Sequence, residues 1–182
     1  HGALDMGLAP GFLPGRVTLE DGRGWFSSWG DLPSSRGRDA RGILEAAASG
    51  QLQTLVLLGA DPLAAFPDRG LARRALDGAG TVVAVDCFRT ESVAKATVVL
   101  PASTYAEKAG STTNLEGRVS RLNAKVTPPG TARDDWMIAV ELAFRMGGDL
   151  GIETIDDIWS ELSQLAPSHA GITRARLASR EG

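Results

Sequence analysis

Residues 101–123, PASTYAEKAGSTTNLEGRVSRLN, gather the side chains best equipped for acid–base chemistry. Glu107 and Glu116 can give or take a proton, Lys108 and Arg118 can hold an anion, and Asn114 can donate and accept. Catalysis needs more than their presence. A nucleophile needs an adjacent base, and the base needs a third group to orient it. The only histidines, His1 and His169, stand near opposite ends of the chain. A carboxylate and a cation in one loop then read first as a solvated ion pair. The single cysteine, Cys87, follows an apolar run and reads as a small buried hydrophobe. One cysteine excludes an internal disulfide and a cluster ligated by this chain's cysteines alone. No His/Cys group stands at zinc spacing.

A second set of polar residues follows apolar runs. TLVLL (54–58) leads into Gly59, Asp61 and Pro62. TVVAV (81–85) leads into Asp86, Thr90 and Ser92. TVVLP (97–101) leads into the loop above. Such runs, alternating with helical patterns, predict strands of a parallel sheet buried on both faces. Ligands of open α/β sheets bind beyond the carboxyl ends of the strands. There Gly59 admits close approach, and Asp61 and Asp86 can accept from ribose hydroxyls or a guanine ring. Thr90 and Ser92 offer hydroxyls where a helix begins, a natural phosphate site. A plainer reading has Asp61 shaping a turn with Pro62 and Thr90 capping its helix. GADPLAAF holds one glycine where a nicotinamide-dinucleotide fingerprint needs three, which argues against that class of dehydrogenase.

These residues must be positioned by the elements between them. Residues 39–50 predict a helix capped by Asp39 and ended by Gly50, with Ile43, Leu44 and Ala47 on one face. Residues 68–80 predict a second, with Leu71, Ala72, Ala75 and Leu76 inward. Thr90 is placed to cap a short helix at about 91–95. Residues 118–123 read as a half-exposed fourth strand at the sheet edge. Residues 131–147 predict a well-buried helix opened by a Thr131…Asp134 capping box. Residues 154–167 repeat that box with Thr154…Asp157 and place Ile155, Ile158, Trp159, Leu162 and Leu165 on one face. The fold class is therefore α/β, three-layer, with a mostly parallel sheet and helices on both faces. Residues 1–37 are rich in glycine and proline and read as an irregular arm, with Trp25, Phe26 and Trp29 as packing anchors. Residues 38–167 form the α/β domain, and 168–182 a polar tail.

The 43% hydrophobic and 23% charged content suits a globular domain with its own core. A net charge of −3 gives no electrostatic case for nucleic acid or an acidic membrane. No apolar run approaches the ~20 residues a spanning helix needs, and the opening residues lack the basic and apolar regions of a signal peptide. The chain opens on His1 rather than methionine, and we read it as a piece of a longer protein.

Four stretches together resemble one family. GALDMGLAPGFLPG (2–15), LGADP (58–62), DCFRTESVAKATVVLPASTYAEKAGSTTNLEGRVSRLN (86–123) and ARDDWMIAVELAFRMG (132–147) are similar to consecutive pieces of molybdopterin oxidoreductases. The long segment is the most specific. The family pattern there runs approximately D-x-F-x-T-E-T, A-D-V-V-L-P, then E-K-x-G-T-x-x-N-x-E-G-R-V-Q. Within the family the strongest resemblance is to the large iron–sulfur subunits of bacterial NADH–quinone oxidoreductase, respiratory complex I.

That resemblance implies a scaffold and docking domain without turnover of its own. Its parent complex passes electrons from NADH through FMN and 4Fe-4S and 2Fe-2S clusters to quinone, coupled to proton translocation. The cluster ligands of that family lie upstream of these residues. The implied partners are other subunits of the peripheral arm, including the one that binds FMN and NADH. The implied location is the cytoplasmic side of the membrane, held through the complex without direct insertion. Catalytic relatives have Asn in a G-x-N-P loop where this chain has Asp61, and A-D-V-V-L-P where it has Thr97. Both departures suit a pterin fold that has lost its molybdopterin. Gly59, Asp61, Asp86, Thr90, Glu107, Asn114 and Arg118 then line a vestigial cofactor cleft and hold no metal. The alternatives are a true molybdenum or tungsten enzyme, such as a formate dehydrogenase or nitrate reductase, and a non-catalytic nucleotide-binding domain.

Overall fold

The computed structural model describes residues 1–179. In chain order its helices and strands are α1 (Gly2–Asp5), β1 (Phe12–Leu13), β2 (Val17–Thr18), α2 (Ala40–Ala48), β3 (Thr54–Leu58), α3 (Pro62–Ala65), α4 (Arg69–Gly78), β4 (Thr81–Asp86), β5 (Val98–Pro101), β6 (Gly110–Thr113), β7 (Val119–Leu122), α5 (Asp135–Arg145), α6 (Ile155–Leu165) and α7 (Arg174–Ala178). They group into two units. One holds His1–Gly37, Ala109–Asn123 and the chain from Asp149. The other holds Arg38–Lys108 and Ala124–Gly148.

The second unit is the α/β body. Its strands lie in the order β3-β4-β5, all parallel, with Leu57 opposite Ala84 and Val85 opposite Leu100. The pleat sends Leu55, Leu57, Val82 and Ala84 to one face. There they pack on Leu44 and Ala47 of α2 and on Leu71, Ala72, Ala75 and Leu76 of α4. Capping fixes where those helices begin. The Asp39 carboxylate accepts from the Gly42 N–H at 2.8 Å, and Asp68 does the same for Leu71 at 2.8 Å. The two helices approach closely enough that a side chain at Gly78 would sit 2.6 Å from the Ala47 carbonyl oxygen. On the opposite face Val85, Leu100 and Ala102 pack against Ile138 of α5. The body is thus a parallel sheet with helices on both faces, as the alternating pattern predicts.

Three expectations are corrected here. Residues 118–123 are not an edge of the parallel sheet. Their strand, β7, pairs antiparallel with β6, Thr113 opposite Val119, in the first unit. The β6 segment GSTT carries no apolar run, so nothing in its pattern announced a partner strand. Helix α5 is also less buried than its composition suggests. Only Ile138 is buried, while Phe144 and Met146 are 75% and 85% exposed. Apolar residues surround α5 on more than one stripe, and a single stripe meets the sheet. Its Thr131…Asp134 capping box is absent, since Asp134 occupies the cap position without a side-chain bond.

In the first unit the Thr154…Asp157 capping box opens α6 as predicted. Trp159, Leu162 and Ala166 form its core with Val119, Ile172 and Leu177. Phe26 is wholly buried and meets the Trp29 ring edge-on at 4.9 Å. The Trp29 indole donates to Glu161 Oε1 at 2.7 Å. Trp25 is exposed. Residues 1–37 group with 109–123 and with the residues from 149 onward. The segment from Ser168 carries a short turn and α7, and residues 180–182 of the polar tail lie outside the described residues.

Candidate functional site at the carboxyl edge of the parallel sheet

Four of the candidate residues gather where β3 and β4 end. Gly59 turns the chain out of β3 with φ of +56°, and its N–H donates to the Val85 carbonyl at 2.8 Å. No heavy atom lies within 4 Å of where its Cβ would be, so the turn faces open space. Asp61 follows at the start of α3 but does not cap that helix. Its Oδ1 instead accepts from the Ser92 hydroxyl at 2.5 Å. The same Ser92 oxygen accepts from the Leu63 N–H at 3.1 Å. Ser92 is fully buried. One hydroxyl thus ties the loop after β3 to the loop after β4.

The other carboxylates and hydroxyls also have partners within the chain. Asp86 closes a turn by accepting from the Phe88 N–H at 3.0 Å. Thr90 Oγ1 accepts from the Val93 N–H at 3.2 Å, capping a single 3-10 turn in place of the predicted short helix. Glu107, in the loop after β5, accepts from the Thr104 N–H at 2.8 Å. Lys108 forms an ion pair with Asp135 at the first turn of α5. Asn114 and Arg118 belong to the first unit, in the turn between β6 and β7. Asn114 Oδ1 accepts from the N–H groups of Glu116 and Arg118, both at 2.9 Å. The Arg118 side chain is exposed and makes no ion pair among the described residues.

Several features were not legible beforehand. Ser92 reads in sequence as one more surface hydroxyl, yet it is the bridge of the site. The Ser103 hydroxyl, just past β5, is buried without a partner, and no pattern around it signals that. Cys87 is exposed rather than buried, because the chain leaves the sheet one residue earlier, at Asp86. Partial burial and then the neighbouring Asp86 charge push its thiol pKa up, so it is not a poised thiolate. Among the described residues no cluster of three His, Cys, Asp or Glu is placed to hold a metal, and no helix is long and apolar enough to cross a membrane.

The first unit has its own polar cluster. Arg16 sits in the left-handed region at φ +59° and donates from Nε to Asp5 Oδ1 at 2.6 Å. Burial raises the Asp5 pKa, but hydrogen bonds from Arg16 and Thr113 outweigh it and hold the carboxyl below its usual range. The pair borders a cavity of about 370 Å³ that His169 and Ser168 also line. His169 is buried beside Trp159, with Nδ1 3.0 Å from the Ser168 hydroxyl. Burial lowers its pKa, against a smaller opposing pull from Asp5.

Parallel strands, crossover helices and polar loops at one sheet edge define an open α/β domain. The chain belongs to the molybdopterin oxidoreductase family, whose model matches residues 4–145. It is 39% identical over 175 residues to the NADPH-Fe(3+) oxidoreductase subunit alpha of Geobacter sulfurreducens, covering 96% of this chain and 20% of that protein. It is 37% identical over 176 residues to an NADH-quinone oxidoreductase subunit of Rhizobium meliloti, with 94% and 21% covered. It is 36% identical over 181 residues to the F420-dependent formate dehydrogenase subunit alpha of Methanocaldococcus jannaschii, with 97% and 27% covered. Among solved structures, acetylene hydratase from Pelobacter acetylenicus shares the fold at a TM-score of 0.59 and 23% identity, over 78% of this chain and 20% of that one. The chain therefore spans about a fifth to a quarter of the curated relatives it matches.

The pterin–guanine dinucleotide that the family implies carries a diphosphate. Asp61 suits it poorly. Asp61 places a carboxylate in the loop after β3, has no ion-pair partner among the described residues, and engages the Ser92 hydroxyl. A diphosphate beside it would be repelled unless a cation came between them.

Two outcomes follow for variants. Ser92→Ala leaves the Leu63 N–H and Asp61 without their shared partner and lowers stability by about 1–3 kcal/mol, read from the urea-unfolding midpoint. The depressed His169 pKa has a definite sign. The folded state binds fewer protons than the unfolded one, so stability is complete above the unfolded value of about 6.5 and falls as pH drops from there towards the folded pKa. Urea midpoints measured from pH 7.5 to 5 should fall in wild type and fall less in His169→Phe.

Proposed function

We propose that this chain is the pterin-fold scaffold domain of a large subunit in a multi-subunit electron-transfer oxidoreductase. That subunit is of the large iron–sulfur kind found in NADH–quinone oxidoreductase. The observation that carries this reading is the Ser92 bridge. The buried Ser92 hydroxyl joins Asp61 to the Leu63 N–H and so ties the two loops together. Turns and caps likewise engage Asp86, Thr90 and Glu107. Relatives named as subunits of an NADH–quinone and an NADPH–iron(III) oxidoreductase, at 37% and 39% identity, support the electron-transfer setting.

On this reading the domain carries no chemistry. It holds neighbouring parts in place while electrons pass through iron–sulfur clusters held elsewhere in the subunit. Its partners are the other peripheral subunits, including the one that binds FMN and NADH. It stays at the cytoplasmic face of the membrane through them.

A second reading, a molybdenum or tungsten bis-pterin enzyme, has two observations in its favour. A formate dehydrogenase subunit is a relative at 36% identity. The open turn at Gly59 leaves room for a ligand in the same unit where Arg89, just past β4, is exposed with no ion-pair partner among the described residues. In that case Arg89 would meet the diphosphate, and Asp86 would accept from a guanine N–H. The bound group would supply the redox chemistry.

Elemental and pterin analysis of the purified full-length subunit separates the two. The scaffold reading expects iron without stoichiometric molybdenum, tungsten or pterin. One metal–pterin group per subunit would overturn it.

A further inference from the structure

We propose that the cavity in the first unit binds a small aliphatic monocarboxylic acid, with Arg16 holding the carboxylate and His169 taking the accompanying proton. The site holds under either reading of the second unit.

Its lining lies wholly within the first unit. Arg16 and His169 border a cavity of about 370 Å³ together with Leu115, Val119 and Ile172. That volume is in the range of small-molecule pockets. Arg16 is the one non-glycine residue at positive φ among the described residues, at +59°. Such a backbone is costly for a residue with a side chain and persists where surrounding contacts hold it. Here Arg16 Nε donates to Asp5 Oδ1 at 2.6 Å and Nη2 to His1 Nδ1 at 2.7 Å. Gly15, one residue earlier, is pressed against the segment that leads to His169. A Cβ there would stand 2.9 Å from Ala166 Cβ and 3.2 Å from Ser168 Oγ. Arg16 Nη1 has no hydrogen-bond partner among the described residues. A guanidinium with an open N–H edge fits a carboxylate.

His169 is the second part of the site. It is 3% exposed, and its Nε2 has no hydrogen-bond partner among the described residues. The Ser168 hydroxyl donates to the Gly15 carbonyl at 3.3 Å, so its oxygen accepts from His169 Nδ1–H at 3.0 Å. In the neutral ring that leaves the lone pair on Nε2. A carboxylate is repelled by that lone pair and attracted by an imidazolium N–H. The charges of the lining lead the same way. Asp5 and Glu116 face the cavity against one guanidinium. From α6, Trp159 sets a ring beside His169 and no charge. The α6 carboxylates are engaged elsewhere, Asp156 with Arg174, Asp157 in the helix cap and Glu161 with Trp29. An anion therefore enters with a proton on Nε2 as the second positive charge. Two carboxylates disfavour a dianion such as phosphate. The three aliphatic side chains suit a short alkyl body.

Isothermal titration calorimetry of the full-length subunit with butyrate tests the site, with formate and inorganic phosphate as comparisons. Butyrate should bind with proton uptake at pH 7, read as heats that change with the ionisation enthalpy of the buffer. Its affinity should fall as pH rises from 6.5 to 8, by as much as about tenfold per pH unit. Formate, which lacks the alkyl body, and phosphate, which brings a second charge, should each bind at least tenfold more weakly. His169→Gln should remove the pH dependence. Arg16→Gly, which suits a positive φ, should lower the butyrate affinity at least tenfold, with urea midpoints reporting that both variants fold. No heat with butyrate, or binding without proton uptake, would overturn the proposal. Formate or phosphate binding as tightly as butyrate would overturn the ligand class. Butyrate binding unchanged in folded Arg16→Gly would place it outside this cavity and overturn the site.

Discussion

A parallel sheet delivers its loops to one edge, and each loop arrives with polar groups that water no longer fully solvates. Here a single buried hydroxyl resolves that problem for two loops. Ser92 donates to Asp61 and accepts from the Leu63 N–H, so the turn after β3, the start of α3 and the segment after β4 share one atom. A buried N–H without a partner costs about 1–3 kcal/mol, comparable to a fair share of a domain's whole stability. Asp61 supplies the acceptor for that hydroxyl. A carboxylate is a strong acceptor for a hydroxyl, and it also gives the edge a negative charge unsuited to a diphosphate.

The helices that support this edge depend on equally local chemistry. Asp39 and Asp68 set where α2 and α4 start, and Gly78 allows the two to touch through their backbones. That close contact covers one face of the sheet with small residues, Ala47, Ala72 and Ala75, all fully buried. On the opposite face, among the described residues, Ile138 packs on the sheet at its carboxyl end. Exposed valines remain on both faces, Val99 on the side of α2 and α4 and Val56 and Val98 on the other.

Much of the body was legible in the sequence because its signals are local. Period-two and period-3.6 apolar patterns located β3, β4, β5, α2 and α4, down to the individual inward residues of α4. The capping box of α6 was equally plain. What failed was non-local. The partner of β7 is a polar strand, so pairing rather than pattern creates it. The burial of α5 depends on how much sheet there is to cover, which its own sequence does not encode. Gly59, Asp61, Asp86 and Thr90 lie at or just past the ends of β3 and β4, as topology alone dictates. The role of Ser92 depends on a contact across 31 residues of chain, and no spacing rule reports it. Asn114 and Arg118, which the resemblance put in the cleft, lie in the turn between β6 and β7, where Asn114 Oδ1 accepts from the N–H groups of Glu116 and Arg118.

At the carboxyl edge of this sheet the Ser92 hydroxyl joins Asp61 to the Leu63 N–H. A cryo-EM map of the intact subunit, at a resolution that shows side chains, tests it most directly at residues 59–63 and 86–92. The account predicts the Ser92 hydroxyl between Asp61 and Leu63, with no density beyond water against them. Density for a dinucleotide in contact with Asp61 or Asp86, with Ser92 turned towards it, would contradict the account.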